Sequence, residues 1–328
     1  MQHIMKRMIL GGTGIETSVV AMGCMRISRV SEADARAVIH AALDAGVTLF
    51  DHADVYGMGK SEELFGSILD LKGEFRRSVQ IQSKCTLVRD AVQTLYNDSS
   101  RDYIIRSVEG SLKRLNTDYL DGYLLHQPDT LVEPDEVAEA FDRLHASGKV
   151  RYFGICNHRP MQVDLLQKYL HQKLAVHQLQ LSVAHTDLID SSYSMRLSPE
   201  QNIDRTGDAL THCRLHGMSV QAWSPFQFGF YGGVFMGNER FPNLNASVDR
   251  IATQYGVSAS AIAVAWLLRH PARIQPLIGT TNAARFEDIC HGTEVTLSRA
   301  EWYELYRMSM LDEGKADLSS SAKPAKHQ

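Results

Sequence analysis

SEADARAVIHAALDAGVTLFDHADVYG, residues 31–57, is the stretch on which the reading of this chain turns. Ser31 is placed to cap an amphipathic helix that runs to Ala45, and Gly46 follows as its stop, because glycine tolerates the left-handed backbone that ends a helix. Thr48–Asp51 then reads as a short strand, apolar inside and closing on a carboxylate, with His52–Gly57 as the loop beyond it. A helix leading into a short buried strand belongs to a parallel βα repeat, and the rest of the chain decides how often that repeat occurs.

It occurs eight times. The expected strands are Val19–Gly23, Thr48–Asp51, Val79–Lys84, Leu120–His126, Val150–Cys156, Ala175–Leu181, Ser219–Trp223 and Pro276–Gly279. Helical stretches between them include Arg101–Leu115, with Asp102 as the expected N-cap, Glu133–Ala146, stopped by Gly148, and Pro160–Tyr169. No Pro/Gly/Ser linker divides the 328 residues, so two open sheets are less fitting than one α/β domain. The prediction is a (β/α)8 TIM barrel over residues 1–312, with a C-terminal extension that is helical and then disordered. Ahead of the barrel, Gly11-Gly12-Thr13-Gly14 reads as the turn of a short N-terminal β-hairpin closing the bottom. Residues 313–328 are polar and without periodicity, which predicts a disordered tail.

Composition narrows the function classes. With 34 Lys+Arg against 38 Asp+Glu the net charge is −4, without the basic excess that a phosphate backbone demands, so no nucleic acid partner is expected. No apolar run approaches the ~18 residues of a membrane span, and the first residues lack a signal-peptide core. The chain is therefore read as cytoplasmic, with no membrane partner. Its five cysteines are scattered and contain no C-x-x-C pair, so neither a disulfide framework nor a zinc site is expected.

In a parallel barrel the chemistry sits at the carboxyl ends of the strands, and three expected ends carry groups that are costly to bury unless paired or used. The second ends in Asp51, just before Tyr56; the third ends in Lys84; the fourth ends in His126. A tyrosine hydroxyl titrates near 10, and an adjacent ammonium lowers that value by stabilising the phenolate. Asp51 would hold Lys84 charged, Tyr56 would donate a proton to a carbonyl oxygen as hydride arrives at its carbon, and His126 would hydrogen-bond the same oxygen. Taken singly, each residue has an ordinary structural explanation; the set of four at strand ends carries the argument.

From Gly23 to about Asp288 the sequence resembles the aldo-keto reductases, among them bacterial-type NADPH-dependent oxidoreductases and potassium-channel β-subunit-like members. Phe50-Asp51-His52-Ala53-Asp54-Val55-Tyr56-Gly57 is similar to the family segment bearing its catalytic Asp and Tyr, Lys84 falls at its strand-three lysine, and Leu124-Leu125-His126 at its strand-four histidine. The resemblance implies Asp51, Tyr56, Lys84 and His126 as the catalytic four and NADPH as cofactor. Gly154-Ile155-Cys156-Asn157 is similar to the family's G-[IV]-S-N, with Cys156 in place of serine; Asn157 and Gln178 match the other groups that hold the nicotinamide carboxamide. Ala222-Trp223-Ser224-Pro225-Phe226 is similar to A-Y-S-P-L, with Trp223 offering a larger stacking face than tyrosine.

The same resemblance places Gly23 and Met25 under the cofactor, Ser224 and the Phe226–Gly229 backbone at its pyrophosphate, and Gly279, Thr280 and Arg285 at its adenosine phosphate. Arg285 can pair bidentately with a 2′-phosphate, which favours NADPH over NADH, although Gly279 stands where other branches have lysine. A small carbonyl compound is the expected partner, in a pocket built from loops around Met25, Gln127–Val132, Thr186–Gln201 and Gln227–Glu239. Tyr193, Phe228, Phe230 and Tyr231 there suit an apolar or aromatic substrate. Two rivals remain: a Schiff-base aldolase using Lys84, against which the neighbouring Asp51 argues, and a regulatory protein that keeps the cofactor but turns over slowly. His158, His177 and His212 have no spacing that would make a metal site with His126. Oligomeric state is left open.

Overall fold

The computed structural model describes residues 5–89, 95–191, 206–229 and 232–315. Eight strands form a closed parallel barrel: β1 (Ala21–Gly23), β2 (Leu49–Asp51), β3 (Gln80–Cys85), β4 (Leu120–Leu125), β5 (Val150–Cys156), β6 (Leu174–Gln180), β7 (Ser219–Trp223) and β8 (Gln275–Ile278). Each pairs with its neighbour in sequence and β8 closes on β1, which is the (β/α)8 TIM barrel the strand count predicted. β1 starts later than expected because Val19 belongs to the floor, its amide donating to Lys6 O at 3.0 Å.

The outer layer comprises α1 (Glu32–Asp44), α2 (Lys60–Ile68), α3 (Arg101–Leu115), α4 (Pro134–Ala146), α5 (Pro160–Tyr169), α6 (Ala209–His216), α7 (Ala259–Leu268) and α8 (Ala283–Cys290). Ser31 caps α1 as expected, its hydroxyl accepting from Asp34 N at 3.1 Å, and Gly46 follows at φ 81°. The expected cap of α3 is corrected: Ser100 holds the N-cap position and Asp102 lies in the first turn, bonded to Arg101 Nε at 2.9 Å. The helix starts there because Asp98 Oδ1 accepts from Ser100 N at 2.9 Å and turns the chain.

The N-terminal hairpin pairs Arg7–Ile9 with Glu16–Ser18 and seals the barrel floor. Leu10 is wholly buried among the inward-facing Leu49, Leu124, Ala175, Val176 and Leu277, and Gly11 N donates to Ser219 Oγ at 2.9 Å. A Cβ on Gly11 would fall 1.9 Å from Ala175 O, so only glycine lets the turn lie this close to β6. A second hairpin, Leu87–Arg89 with Leu95–Asn97, follows β3 and was not anticipated.

Two further helices, Pro242–Tyr255 and Arg299–Asp312, cover α7, which is buried on every side from Ala261 to Leu267. Trp266 and Trp302 stack at 4.9 Å and exchange indole N–H bonds to each other's carbonyl oxygens at 3.1 and 3.0 Å. At the end of the described chain Lys315 pairs with Asp190 at 2.9 Å and Asp187 at 3.2 Å. Residues 316–328, most of the expected disordered tail, lie outside the described residues. Among the described residues no single helix is long and apolar enough to cross a membrane.

Candidate active site

Side chains alternate across a strand, so Gln82 and Lys84 of β3 both enter the barrel while Ser83 and Cys85 face the helices. Lys84 is fully buried, and its ammonium contacts Asp51 Oδ2 at 2.7 Å, His52 O at 2.7 Å and Tyr56 Oη at 3.1 Å. An ammonium has three N–H donors, and all three are used. Burial works against the charge, yet the Asp51 carboxylate and then the Tyr56 oxygen outweigh it and hold the lysine protonated well above its ordinary range. A lysine so held is no nucleophile, which sets aside the Schiff-base reading.

Tyr56 begins a tight turn, Tyr56–Gly59, whose next three residues are all left-handed (Gly57 φ 59°, Met58 φ 55°, Gly59 φ 87°). Its hydroxyl is pushed up to about 12, because burial outweighs the downward pull of Lys84. This corrects the sequence expectation: the lysine opposes a shift that it does not reverse. His126 follows β4 with its ring edge-on to Tyr56 at 5.7 Å. Burial first, and Lys84 second, push its imidazole down to about 3, so it is neutral. Its Nδ1 is buried without a partner, which leaves Nε2 as the ring nitrogen that can meet a ligand.

Beneath these residues the barrel interior departs from the apolar layers usual in the fold. Asp51 Oδ1 accepts from Gln82 Nε2 at 2.5 Å and from Gln178 Nε2 at 3.0 Å. Gln178, Gln221 and Gln275 stand in matched register on β6, β7 and β8. Gln221 accepts from Gln82 at 2.8 Å and Gln178 at 3.0 Å and donates to Gln275 at 2.9 Å; Gln275 donates to Ser18 O on the floor at 2.7 Å. Tyr152 hydroxyl donates to Gln82 Oε1 at 3.1 Å. Gln82, Gln221 and Gln275 went unremarked in the sequence, where their only signal is a polar residue inside QIQSK, SVQAW and IQPLI.

The expected cofactor residues fall into two groups. At the barrel mouth, Asn157 sits at φ 60°, donates to His126 O at 3.2 Å and accepts from the Trp223 indole at 3.0 Å. Cys156 is buried, and burial pushes its thiol up despite Lys84. Gln178 is nearly fully buried and turned toward Asp51. Around the rim, a Cβ on Gly23 would lie 3.8 Å from Gly279 Cα, so the ends of β1 and β8 meet with no side chain between them. Met25 is exposed in the turn Cys24–Arg29, and Ser224 adopts φ 53° before Pro225 and Phe226. Asn282 caps α8 by accepting from Arg285 N at 2.8 Å, and its own amide donates to Thr280 Oγ1 at 3.3 Å; Arg285 is exposed on that first turn.

Two of the expected loops are described only in part. Phe228 packs on Phe241 at 5.0 Å, with Gly229 at φ 97° after it, while Tyr193, Phe230 and Tyr231 lie outside the described residues.

A barrel whose second, third and fourth strands deliver a carboxylate, a lysine and a histidine around one tyrosine defines a class of oxidoreductase, and comparison with known proteins agrees. The chain belongs to the aldo/keto reductase family, whose model matches residues 11–309. A 6-dehydroglucose reductase of Agrobacterium fabrum is 33% identical over 304 residues, covering 90% of this chain and 95% of its own. The oxidoreductase YdhF of Escherichia coli is 33% identical over 313 residues, covering 94% and 98%. In fold, an aldo-keto reductase of Klebsiella pneumoniae solved with NADPH is similar at a TM-score of 0.72 and 22% identity, covering 93% of this chain and 95% of that one.

Proposed function

We propose that this protein reduces aldehydes or ketones to alcohols with NADPH, with Tyr56 as the proton donor. The observation that carries this reading is the Lys84 ammonium, whose three donors go to Asp51, His52 O and Tyr56 Oη. The residues at the rim fit the cofactor: glycine at the ends of both β1 and β8 leaves that part of the mouth without side chains, and Arg285 stands exposed beside the N-terminus of α8, where anions are favoured. When bound, NADPH supplies the hydride. Asn157, Trp223 and Gln178 would hold its nicotinamide end and Arg285 its 2′-phosphate.

The chain's own part is to place and protonate the carbonyl oxygen. His126 Nε2 and Tyr56 Oη both donate to that oxygen, which polarises the carbonyl before reaction. As negative charge grows on the oxygen, the Tyr56 proton transfers to it, and the ammonium at 3.1 Å stabilises the phenolate left behind. Asp51 keeps the lysine charged throughout, and the glutamines on Oδ1 keep Asp51 in place.

Two relatives, 33% and 32% identical, are named 6-dehydroglucose reductases, which makes a sugar-derived aldehyde a first candidate beside aromatic aldehydes suited to Phe228. The test is a titration of the purified protein with NADPH and with NADH, read by quenching of tryptophan fluorescence. A panel of both aldehyde types is then added while absorbance of the reduced cofactor is followed. Tight NADPH binding with oxidation by one panel member is expected; binding without turnover would favour the regulatory reading, and no binding would remove the cofactor assignment.

A further inference from the structure

On the outside of the barrel, far along the chain from the reacting residues, α5 and α6 bring together three side chains that carbonyl reduction does not use. His212 and His216 are four residues apart on α6 and so share one face of it, their ring centroids 4.3 Å apart. Asp164 of α5 faces them, with Oδ1 2.8 Å from His212 Nε2 and 3.8 Å from His216 Nε2. One donor atom from each of the three lies within 4.8 Å of the others. Metal–ligand bonds of about 2.0–2.2 Å in a tetrahedron put neighbouring donor atoms roughly 3.3 Å apart, and the two measured separations lie on either side of that value.

We propose that Asp164, His212 and His216 form a binding site for a divalent transition metal of the zinc class, with the remaining coordination position open to water. Two imidazoles and one carboxylate suit zinc, nickel or copper, whereas magnesium and calcium call for all-oxygen sets. Access is not an obstacle, since the Asp164 and His216 side chains are 46% and 47% exposed and His212 is 10% exposed. The ion takes the place of the proton through which His212 Nε2 bonds Asp164, and the neutral ring then carries its proton on Nδ1. A bound ion ties α5, which follows β5, to α6, which precedes β7, and so links the helices flanking the strands that carry Asn157 and Trp223.

His216 separates this proposal from the bland alternative. A simple hydrogen bond between His212 and Asp164 has no need of a second imidazole 3.8 Å away, whereas a metal site does. The experiment is a zinc titration of the untagged full chain against a colorimetric zinc indicator, beside His216→Ala and Asp164→Asn. All five cysteines are buried and do not compete for the ion. One zinc per chain is expected, with affinity at least about tenfold weaker in either variant and a midpoint of thermal unfolding that rises with zinc only in the parent. Equal binding by parent and His216→Ala would overturn the site, as would no saturable binding up to about 100 μM zinc. Neither outcome depends on turnover, because both variants lie away from Tyr56 and the cofactor rim.

Discussion

The inner ring of the site and its outer rim are built on opposite plans. Around Asp51 and Lys84 the strong donors are already spent inside the protein: the ammonium on three oxygens, two amides on the carboxylate, and the glutamines along a shared ladder. At the rim, Met25 and Arg285 are exposed and Gly23 and Gly279 contribute no side chain at all. The ring is fixed before any ligand arrives, as electrostatic stabilisation of a transition state requires, and the rim supplies a surface that a ligand completes. Changes in the ring should therefore strike turnover, and changes at the rim should strike cofactor affinity.

The sharpest break would come from Tyr56→Phe. Removing the hydroxyl deletes the proton donor and one partner of Lys84, while Asp51 and His52 O still hold the ammonium. A loss of kcat on the order of 10³-fold, with NADPH affinity by fluorescence titration within about twofold of the parent, is expected. A variant that kept most of its turnover would move the proton donor elsewhere in the ring.

How much of this was legible in the sequence follows from the same contrast. A charged residue closing an apolar strand stands out because nothing but pairing or use explains it, so Asp51, Lys84 and His126 could be read off and the barrel orders them. Gln82, Gln221 and Gln275 could not, since a polar residue at alternate positions of a strand looks like a face turned to water, and Gln178 stood out only through the family resemblance. Only the closed register of β6, β7 and β8 shows that Gln178, Gln221 and Gln275 point inward together. The Asn157–Trp223 bond spans 66 residues and has no local signature, and the hairpin after β3 consists of two three-residue strands too short to show a period. The expected downward shift of Tyr56 failed for a related reason: sequence names the neighbouring lysine but not the degree of burial.

At the rim, Arg285→Ala tests the other half of the contrast. The guanidinium has no carboxylate partner among the described residues, so its removal leaves nothing unpaired. NADPH should bind about 10- to 100-fold more weakly, NADH nearly as before, and kcat at saturating cofactor should stay put. Equal weakening of both cofactors would place the 2′-phosphate elsewhere.

A smaller effect is expected deeper in the ring. Gln82→Leu removes one of two amides from Asp51 Oδ1 and the acceptor of the Tyr152 hydroxyl, while Gln178 remains on the carboxylate. We expect kcat to fall about tenfold with cofactor affinity unchanged, alongside a stability loss of about 1–3 kcal/mol from the stranded hydroxyl. Gln275→Leu, at the floor end of the same ladder, should cost stability and leave kcat alone. If the two variants behaved alike, the glutamines would be filling the barrel rather than positioning Asp51.

The smallest effects belong to pH, and they separate the ring from a carboxylate just behind it. With His126 pushed to about 3 and Tyr56 to about 12, neither changes its charge across neutrality, so carbonyl reduction should be flat from about pH 5 to pH 9. Asp54, two residues before Tyr56, is pushed up to about 7 by burial and then by Glu62, and its Oδ2 accepts from Tyr103 at 3.2 Å rather than from any group of the ring. Between its ordinary value of 3.8 and about 7 the folded protein holds a proton there that the unfolded chain has released. Stability should accordingly fall as pH rises through that window, and Asp54→Asn should remove this slope in denaturant melts without creating a pH dependence in kcat. A limb near pH 7 in turnover that vanished in Asp54→Asn would wire this outer carboxylate into the reaction and erase the line drawn between the ring and its surroundings.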